Sequence, residues 1–319
     1  MTQELLLLRH GKSDWGVGQE DFYRPLKDRG KRGAQRIGVW MAQQGLIPDL
    51  VISSPAERAL VTAQKTLKAM GIDDRNIRQD KRIYAADVDE LLAVLGESPQ
   101  KSGRILMVGH NPGLEELLQW LAAGTVPLPE DGKLLPTATL ARLQLQTDWP
   151  LLQAGCARLH SITRPATLPK KFPYPSPDGK EQRDRPAYYY TQSSVVPYRV
   201  RDGKVEILVI ASSKKNHYVV PKGIQEPGLS PQLSAAKEAL EEAGVEGEVA
   251  SAEIGSYRYE KWGATCTVAV YPMKVTRMIP DHDWEESHRG REWLSVKKAV
   301  RQLKQQQLGP MLNKLEALL

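Results

Sequence analysis

A proline-rich segment divides this 319-residue chain into two stretches that are each long enough to fold alone. Proline disrupts helix interiors and central strands, and the segment has no apolar periodicity, so we expect an extended linker, ordered where it contacts a domain. We predict a first domain at residues 1–163, the linker at 164–187 and a second domain at 188–319. The prolines of the segment are Pro165, Pro169, Pro173, Pro175, Pro177 and Pro186.

The composition indicates a folded protein with anionic partners. Hydrophobic residues make up 41% of the chain and charged residues 26%, which excludes a disordered, collagen-like or coiled-coil chain. The net charge of +6 favours anions but does not separate nucleic acids from small phosphates. Because aromatic residues are only 6%, stacking on nucleic acid is the less favoured interpretation.

The first residues and the cysteines favour the cytoplasm. The apolar run Leu5–Leu8 is far shorter than the roughly 20 residues that cross a bilayer, and the basic stretch that follows it is unlike a signal peptide. We therefore expect no membrane span and a cytoplasmic location. Cys156 and Cys266 lie far apart in the sequence and predict neither a disulfide framework nor a thiolate metal cluster.

Short apolar runs alternate with helical patterns through the first half. Leu5–Leu8, Leu50–Ile52 and Ile105–Val108 are predicted strands, and the i, i+3, i+4, i+7 spacing of leucines and valine in Val88–Leu95 predicts a helix. This alternation predicts a mostly parallel sheet covered by helices on both faces, a three-layer αβα domain. Ligands of such sheets bind beyond the carboxyl ends of the strands, so polar residues there are candidates for chemistry.

These predicted strands are followed by residues that suit a phosphate. Arginine offers forked donors that match phosphoryl oxygens, and a neutral imidazole can attack phosphorus and carry the phosphoryl group. Taken singly, each residue is explained more simply as a surface charge, an ion-pair partner or a hydrogen-bonded histidine. Together, at three strand ends, they predict a phosphoryl-transfer site that needs no metal. The candidates are Arg9, His10, Arg58 and His110.

The first half resembles histidine phosphatases of the SixA, phosphohistidine-phosphatase type. The resemblance implies that His10 is the nucleophile, that Arg9, Arg58 and His110 bind the transferred phosphoryl group, and that no cofactor is needed. It covers about residues 3–160 and rests on Leu6–Trp15, Arg24–Leu26, Gly30, Ser54–Ala63 and Val108–Glu115.

The general acid of this half is not identified. Many members of the superfamily protonate the leaving group with a carboxylic acid, which in one branch directly follows the second histidine, where this chain has Asn111. A leaving group that needs little protonation, such as an imidazole, tolerates the absence of an acid. The substrate therefore stays open. The candidate acids are Asp87, Asp89, Glu90 and Glu115.

A hairpin and a capped helix are predicted in the second half. Alternating apolar residues at 194–200 and 205–210 flank the turn sequence Arg201-Asp202-Gly203, which predicts paired strands. Ser230-Pro231 suits the start of a helix and Gly244 suits its end.

Three glutamates share one face of that predicted helix. Glu238, Glu241 and Glu242 are spaced i, i+3 and i+4, so their carboxylates repel each other unless a cation neutralises them. Taken alone, a solvated acidic face is the commoner explanation of such a cluster. Clustered oxygen ligands also suit Mg²⁺ or Mn²⁺, completed by water and substrate phosphates, which predicts a metal-bound diphosphate.

The stretch from Gly223 to Val245 resembles the Nudix box. The usual box has Glu and Arg where this chain has Leu229 and Lys237, and we expect these departures to alter rate or metal affinity without abolishing the site. The resemblance spans about 188–319 and implies an α/β/α sandwich with a mixed sheet. It also implies that Gly223, through its carbonyl, and Glu238, Glu241 and Glu242 bind the metal, and that a carboxylate, with Glu238 and Glu242 as the candidates, activates water.

Segment Asp283–Trp293 and the amphipathic pattern after it resemble the diphosphoinositol polyphosphate and diadenosine polyphosphate branch of that family. Basic residues around the expected site predict binding of a phosphate chain by charge-assisted contacts, although scattered lysines also simply solubilise a basic protein. The candidate substrate-binding residues are Ser213, Lys214, Lys215, Lys222, Arg258 and Lys261, with Ser212 beside them.

The two resemblances together imply a bifunctional phosphohydrolase that acts on small phosphorylated metabolites. A phosphohistidine protein is a second candidate partner of the first domain, and the two activities are hypothesised to work in series. A different hypothesis is that one domain binds phosphorylated ligands without turnover. Hydrolysis of oxidised nucleoside triphosphates and trimming of a capped RNA end are further candidate activities of the second domain.

Overall fold

The computed structural model describes residues 3–16, 18–124, 126–212 and 215–319. Contacts within the chain divide it into two compact units, one ending at Phe172 and the other beginning at Pro173. Ser213 and Lys214, two of the predicted substrate-binding residues, lie outside the described residues. Within the described ranges, no helix combines the length and the apolar character needed to cross a bilayer.

The first unit alternates strands and helices, as its apolar pattern predicts. Its strands are β1 (Glu4–Arg9), β2 (Leu50–Ser53), β3 (Arg78–Gln79), β4 (Arg104–Gly109), β5 (Leu140–Leu145) and β6 (Ala157–Thr163). Its helices are α1 (Asp28–Gln43), α2 (Glu57–Ala69), α3 (Val88–Gly96) and α4 (Gly113–Leu121). The sheet order is β3-β2-β4-β1-β5-β6. The strands β1, β2, β3 and β4 run parallel to one another, whereas β5 is antiparallel to both of its neighbours, β1 and β6.

The leucines of β1 supply both faces of this sheet. Leu5 and Leu7 pack in a core with residues of α3 and α4, whereas Leu6 and Leu8 pack in a second core with residues of α1 and α2. Successive side chains of a strand point to opposite faces, so a continuous apolar run requires helices on both sides. The predicted three-layer αβα arrangement is confirmed.

The proline-rich segment contains short regular elements and is not extended throughout. Pro165–Thr167 forms a 3-10 turn, in which proline occupies a first position that needs no N–H donor. β7 (Phe172–Pro173) pairs with β8 (Gln182–Arg183), and a second 3-10 turn spans Ala187–Tyr190. The segment is therefore more ordered than the extended linker that its composition predicts.

The second unit begins with the predicted hairpin and contains the predicted helix. The hairpin turns at Asp202 and Gly203, both at positive φ as a two-residue turn requires. Ser230 caps the helix and Gly244 ends it in the left-handed conformation. The strands are β9 (Thr191–Arg201), β10 (Lys204–Ala211), β11 (Tyr218–Val219), β12 (Lys222–Ile224), β13 (Val245–Val249), β14 (Gly255–Lys261), β15 (Ala264–Met278) and β16 (Arg291–Ser295), and the helices are α5 (Pro231–Ala243), α6 (Val296–Gln302) and α7 (Gly309–Leu318).

Helices cover both faces of the mixed sheet in the second unit. The path β11-β10-β9-β15-β13 is joined by β12 and β14, which pair with β9 and β15, and by β16 on β10. Val195 packs in one core with Ala235 and Ala239 of α5, whereas Val196 packs in another with residues of α6 and α7, including Leu312. Small residues on one face of α5 let the helix lie close to the sheet. The predicted α/β/α sandwich is confirmed.

Candidate active sites

Four predicted residues of the first unit line one cavity of about 300 Å³. Arg9 and His10 come at the end of β1, Arg58 lies in the first turn of α2, and His110 follows β4. Because β1, β2 and β4 run parallel, their carboxyl ends meet at one edge of the sheet. The ring centroids of His10 and His110 lie 5.1 Å apart. The lining also includes Lys12, Ser13, Trp15, Arg24, Asn111 and Thr137.

Hydrogen bonds fix the orientation of His10. Its Nδ1 lies 2.7 Å from the carbonyl oxygen of Gly11, which can only accept, so Nδ1 carries the proton and Nε2 carries the lone pair. The Gly11 N–H donates to Thr62 Oγ1 at 2.9 Å, and the Thr62 hydroxyl donates to the Arg58 carbonyl at 2.6 Å. A Cβ on Gly11 would lie 2.7 Å from the Gly30 carbonyl oxygen, so glycine is required there. The first turns of α2 thus hold the backbone beside His10.

Both histidines of the cavity are neutral near neutral pH. Burial, opposed by the Gly11 carbonyl and reinforced by the charge of Arg58, lowers the pKa of His10 to about 4. Burial and the neighbouring His10 lower the pKa of His110 to about 3. His110 Nε2 lies 2.9 Å from Ser54 Oγ, and its buried Nδ1 has no hydrogen-bond partner among the described atoms. When the Ser54 hydroxyl donates to Nε2, Nδ1 carries the proton and can donate to a phosphoryl oxygen.

Asp21 and Arg24 belong to this site, although the sequence analysis assigned neither a role. Asp21 Oδ2 accepts from Arg58 Nη2 and from the Tyr84 hydroxyl, each at 2.8 Å, and Asp21 Oδ1 lies 3.0 Å from Arg24 Nη1. Arg24 and Arg58 are buried, and their Nε atoms have no hydrogen-bond partner among the described atoms. The Arg24-Pro25-Leu26 motif was available as a signal for Arg24. No sequence pattern indicated Asp21.

None of the carboxylates proposed as the general acid lines the cavity in the described part of the chain. Asp87 and Glu90 form the capping box of α3, in which each carboxylate accepts from the other residue's backbone N–H. Asp89 is exposed in the first turn of the same helix. Glu115 Oε1 accepts from the Leu135 N–H at 2.7 Å. The structure therefore supports none of the four as a proton donor.

In the second unit, Gly223, Glu241 and Glu242 are neighbours of Glu238. Burial, followed by the neighbouring carboxylates of Glu242 and Glu241, raises the pKa of Glu238 to about 8. Burial also raises the pKa of Glu241. A Cβ on Gly223 would lie 1.8 Å from Glu238 Oε1, so only glycine lets β12 approach this carboxylate.

A backbone N–H and a guanidinium hold the carboxylate of Glu242. Its Oε2 accepts from the Lys222 N–H at 3.1 Å, and its Oε1 lies 2.7 Å from Arg289 Nη1. Arg289 is buried and also binds Glu286 and the carbonyl of Ala211. Arg289 lies in the segment Asp283–Trp293 that resembles one branch of the Nudix family, but its pairing with Glu242 is not predicted by the sequence.

The donor set of α5 suits a hard divalent cation, yet the side chains are not gathered around one point. Among the described residues, no group of three or more His, Cys, Asp or Glu is placed to hold a metal ion. The raised pKa of Glu238 shows that its buried carboxylate is disfavoured beside Glu241 and Glu242, and a bound cation relieves such repulsion. The residues therefore fit a metal chemically, and one oxygen of Glu242 is also paired with Arg289.

Lys237, one of the two departures from the Nudix box, forms ion pairs with two glutamates. Lys237 Nζ lies 3.0 Å from Glu226 Oε1 and 3.7 Å from Glu241 Oε1. Glu226 precedes Leu229, the position at which the usual box carries its glutamate, and lies in the same loop. A cation–carboxylate pair between Lys237 and Glu226 thus joins this loop to α5.

The structure brings together only some of the predicted substrate-binding residues. Lys222 Nζ lies 3.0 Å from the Tyr259 hydroxyl, and Lys261 falls on the same face of β14 as Tyr259 by strand alternation. Arg258 is exposed on the opposite face, which does not support its place in the site. Lys215 is exposed in the turn between β10 and β11.

Two family models match this chain. The model of the histidine phosphatase superfamily (branch 1) matches residues 5–91, and the NUDIX domain model matches residues 190–315. The chain joins a histidine phosphatase domain to a Nudix domain. Both are hydrolase families, so the predicted phosphohydrolase class is confirmed.

Known relatives match parts of this two-domain chain. Nudix hydrolase 12, mitochondrial, of Arabidopsis thaliana is 29% identical over 143 residues, which cover 37% of this chain and 70% of the relative. A 2,3-bisphosphoglycerate-dependent phosphoglycerate mutase of Nocardia farcinica is 39% identical over 74 residues, which cover 22% of this chain and 29% of the mutase. A structure from Nakamurella multipartitia assigned as the phosphohistidine phosphatase SixA is 28% identical, with a TM-score of 0.44, over 52% of this chain and 98% of that one.

Proposed function

We propose that the chain is a bifunctional phosphohydrolase. The first domain is a metal-independent phosphatase that works through a phosphohistidine at His10, and the second is a Mg²⁺- or Mn²⁺-dependent pyrophosphohydrolase that uses the glutamates of α5. The observation that carries the proposal is the convergence of His10, His110, Arg9 and Arg58 on one cavity, with the His10 Nε2 lone pair available.

The proposed phosphatase reaction has two steps. His10 Nε2 attacks the phosphorus of a phosphate monoester or phosphoramidate, and the bond to the leaving group breaks. Guanidinium groups of Arg9, Arg24 and Arg58 bind the phosphoryl oxygens through charge-assisted hydrogen bonds. Water then attacks the phosphohistidine and releases inorganic phosphate and neutral His10. Because no carboxylate lines the described cavity, leaving groups of low pKa are favoured.

The proposed Nudix reaction is the hydrolysis of a phosphoric anhydride. Glu238, Glu241, Glu242 and the carbonyl of Gly223 are the groups that would hold the divalent cation. When bound, such a cation polarises phosphoryl oxygens and lowers the pKa of water. A carboxylate of Glu238 or Glu242 accepts the proton of the attacking water, and Lys222 binds a phosphate oxygen.

The proposed substrates of the second domain are dinucleoside polyphosphates or inositol pyrophosphates, and the first domain takes small phosphorylated metabolites or a phosphohistidine protein. Support comes from Lys222, whose backbone N–H donates to Glu242 and whose Nζ lies near Tyr259, and from Lys261 on the same face of β14 as Tyr259. Hydrolysis of oxidised nucleoside triphosphates by the second domain stays within the same chemistry. The alternative is that the second domain binds its ligand without turnover, and the ion pair between Arg289 and Glu242 is the observation that supports it.

A cytoplasmic location is part of the proposal. Its support is the pair of buried free cysteines, Cys156 and Cys266, which is typical of a reducing compartment.

The two activities are separated by paired assays on the full chain. In EDTA, wild type releases para-nitrophenol from para-nitrophenyl phosphate, and His10→Ala lowers this rate by about 1,000-fold or more. With Mg²⁺, wild type cleaves diadenosine tetraphosphate and Glu242→Gln does not, and each variant keeps the activity of the other domain. A domain that binds its ligand but shows no turnover sensitive to its variant is a binding module, and the proposal then fails for that domain.

A further inference from the structure

A second cavity adjoins the phosphatase cavity in the first unit. Its volume is about 450 Å³, and Lys12 and Thr137 line both cavities, so the two share part of their walls. Another wall is formed by Gly30 and Gly33 of α1. A ligand bound at His10 therefore lies next to this second space.

Close backbone packing by glycines shapes the wall of this second cavity. A Cβ on Gly30 would lie 2.3 Å from the Lys12 carbonyl oxygen, and a Cβ on Gly33 would lie 3.1 Å from the Ala138 Cβ. Glycine inside a helix is less stable than alanine. This cost is offset because α1 can approach the backbone that carries Lys12, beside the nucleophile.

The lining of the second cavity is strongly cationic. It contains six basic side chains and one carboxylate, Asp131, whose two oxygens already accept from Arg164 at 2.7 and 3.1 Å. The carboxylate therefore does not neutralise the other cations. The basic side chains are Lys12, Arg29, Arg36, Lys133, Arg164 and Lys170.

Buried polar atoms in this lining lack partners. Thr139 is fully buried, and its Oγ1 has no hydrogen-bond partner among the described atoms. The Nε of Arg36 is likewise buried without a partner, and burial together with the charge of Arg32 lowers the pKa of Arg36. A buried polar atom without a partner is costly, so this wall of the cavity is not arranged for stability alone.

We propose that this second cavity binds a second phosphate group of the phosphatase substrate, which is then a small molecule with more than one phosphate. The proposal rests on the proposed phosphatase function of His10. Arginine forks at Arg29 and Arg36, together with Lys133, match phosphate oxygens. A concave site suits a small molecule better than it suits the surface of a protein.

The test compares inorganic tripolyphosphate, which can span both cavities, with inorganic phosphate as inhibitors of para-nitrophenyl phosphate hydrolysis in EDTA. For wild type we expect tripolyphosphate to inhibit at a concentration about tenfold or more below that of phosphate. Arg29→Ala/Arg36→Ala removes this advantage and leaves phosphate inhibition and basal turnover unchanged. Lys133→Ala weakens it in the same direction and replaces the double variant if that one does not fold.

A matched control removes two exposed cations of the same unit outside the cavity, Lys101→Ala/Arg158→Ala, and keeps the tripolyphosphate advantage. An advantage that persists in Arg29→Ala/Arg36→Ala, or that is lost equally in the control, overturns the inference. If Arg29→Ala/Arg36→Ala slows only the dephosphorylation of a phosphohistidine protein, the cavity serves a protein and the small-molecule inference is also overturned. Absent basal turnover contradicts the phosphatase function instead, and calorimetric binding of tripolyphosphate to the same variants then decides the inference.

Discussion

The two candidate sites of this chain present opposite charges. In the first cavity, buried guanidiniums surround two neutral imidazoles, so the cavity attracts an anion directly. On α5, three carboxylates occupy one face and repel an anion unless a cation lies between them. The proposed phosphatase therefore binds its substrate through residues of the chain, whereas the proposed Nudix reaction depends on an added cation.

A buried or half-buried counter-charge contacts each site, Asp21 in the first and Arg289 in the second, and the two differ in how firmly they are held. Asp21 binds Arg24 and Arg58, but its side chain is 46% exposed. Arg289 binds Glu242 with a side chain only 5% exposed, and it is held by two further partners. Asp21 is therefore the more easily displaced by a ligand, whereas a metal must share Glu242 with Arg289 or displace it.

The largest expected effect comes from removing a guanidinium from the first site. Arg58→Ala is expected to lower kcat/KM for para-nitrophenyl phosphate by about 100- to 1,000-fold, as for other fixed donors to a transition-state oxyanion. Hydrolysis of diadenosine tetraphosphate by the same protein should be unchanged. Arg158→Ala, which removes an exposed arginine from β6, should change neither rate. A loss below tenfold for Arg58→Ala would contradict direct phosphate binding by this residue.

The second prediction tests the glutamate site on α5. Gly223→Ala places a methyl group on the carboxylate of Glu238, so Mg²⁺-dependent hydrolysis of diadenosine tetraphosphate should fall by about 10- to 100-fold. Para-nitrophenyl phosphate turnover, measured on the same sample, is the control for folding and should be unchanged. Full Nudix activity in Gly223→Ala would show that this close approach is not needed.

Local patterns predicted most of the fold and the candidate residues at strand ends. The run Leu5–Leu8 predicts a strand buried on both faces, and Asp202-Gly203 predicts a two-residue turn, because both depend on neighbouring residues alone. Asp21 could not be predicted in this way, since its pairing with Arg58 depends on how two distant segments meet in the fold.

The position of Arg258 shows a second limit of the sequence. Its strand, β14, was not predicted, and a shift of one residue in a strand moves every side chain to the other face. The proline-rich segment shows a third, because its 3-10 turns depend on particular proline positions that composition does not describe. The composition of this segment predicts that two domains divide there, but it does not predict the local structure of the segment.

The pH dependence of the first site tests whether His10 is neutral at neutral pH. Because the pKa of His10 is lowered to about 4, its nucleophilic form persists well below pH 6.5, and protonation removes the lone pair only as the pH falls through about 4. After correction for substrate ionisation, phosphatase kcat/KM should be level from pH 7 to about 5 and then fall about tenfold per unit below pH 4. Circular dichroism at each pH is the control for folding. An acid limb near 6.5 contradicts the buried neutral histidine.

The smallest expected effect comes from the counter-charge Asp21. Because its carboxylate is 46% exposed, solvent screening limits its ion pairs to roughly 0–1 kcal/mol, so Asp21→Asn should lower the inhibition constant of inorganic phosphate by no more than about fivefold. The direction follows from the loss of an anion that competes for Arg24 and Arg58. If Asp21 instead protonates the leaving group, kcat falls most for alkyl phosphates, whose leaving groups have high pKa values, and little for para-nitrophenyl phosphate. Measuring both substrates with Asp21→Asn, and with Asp89→Asn as an exposed control, distinguishes a counter-charge from an acid.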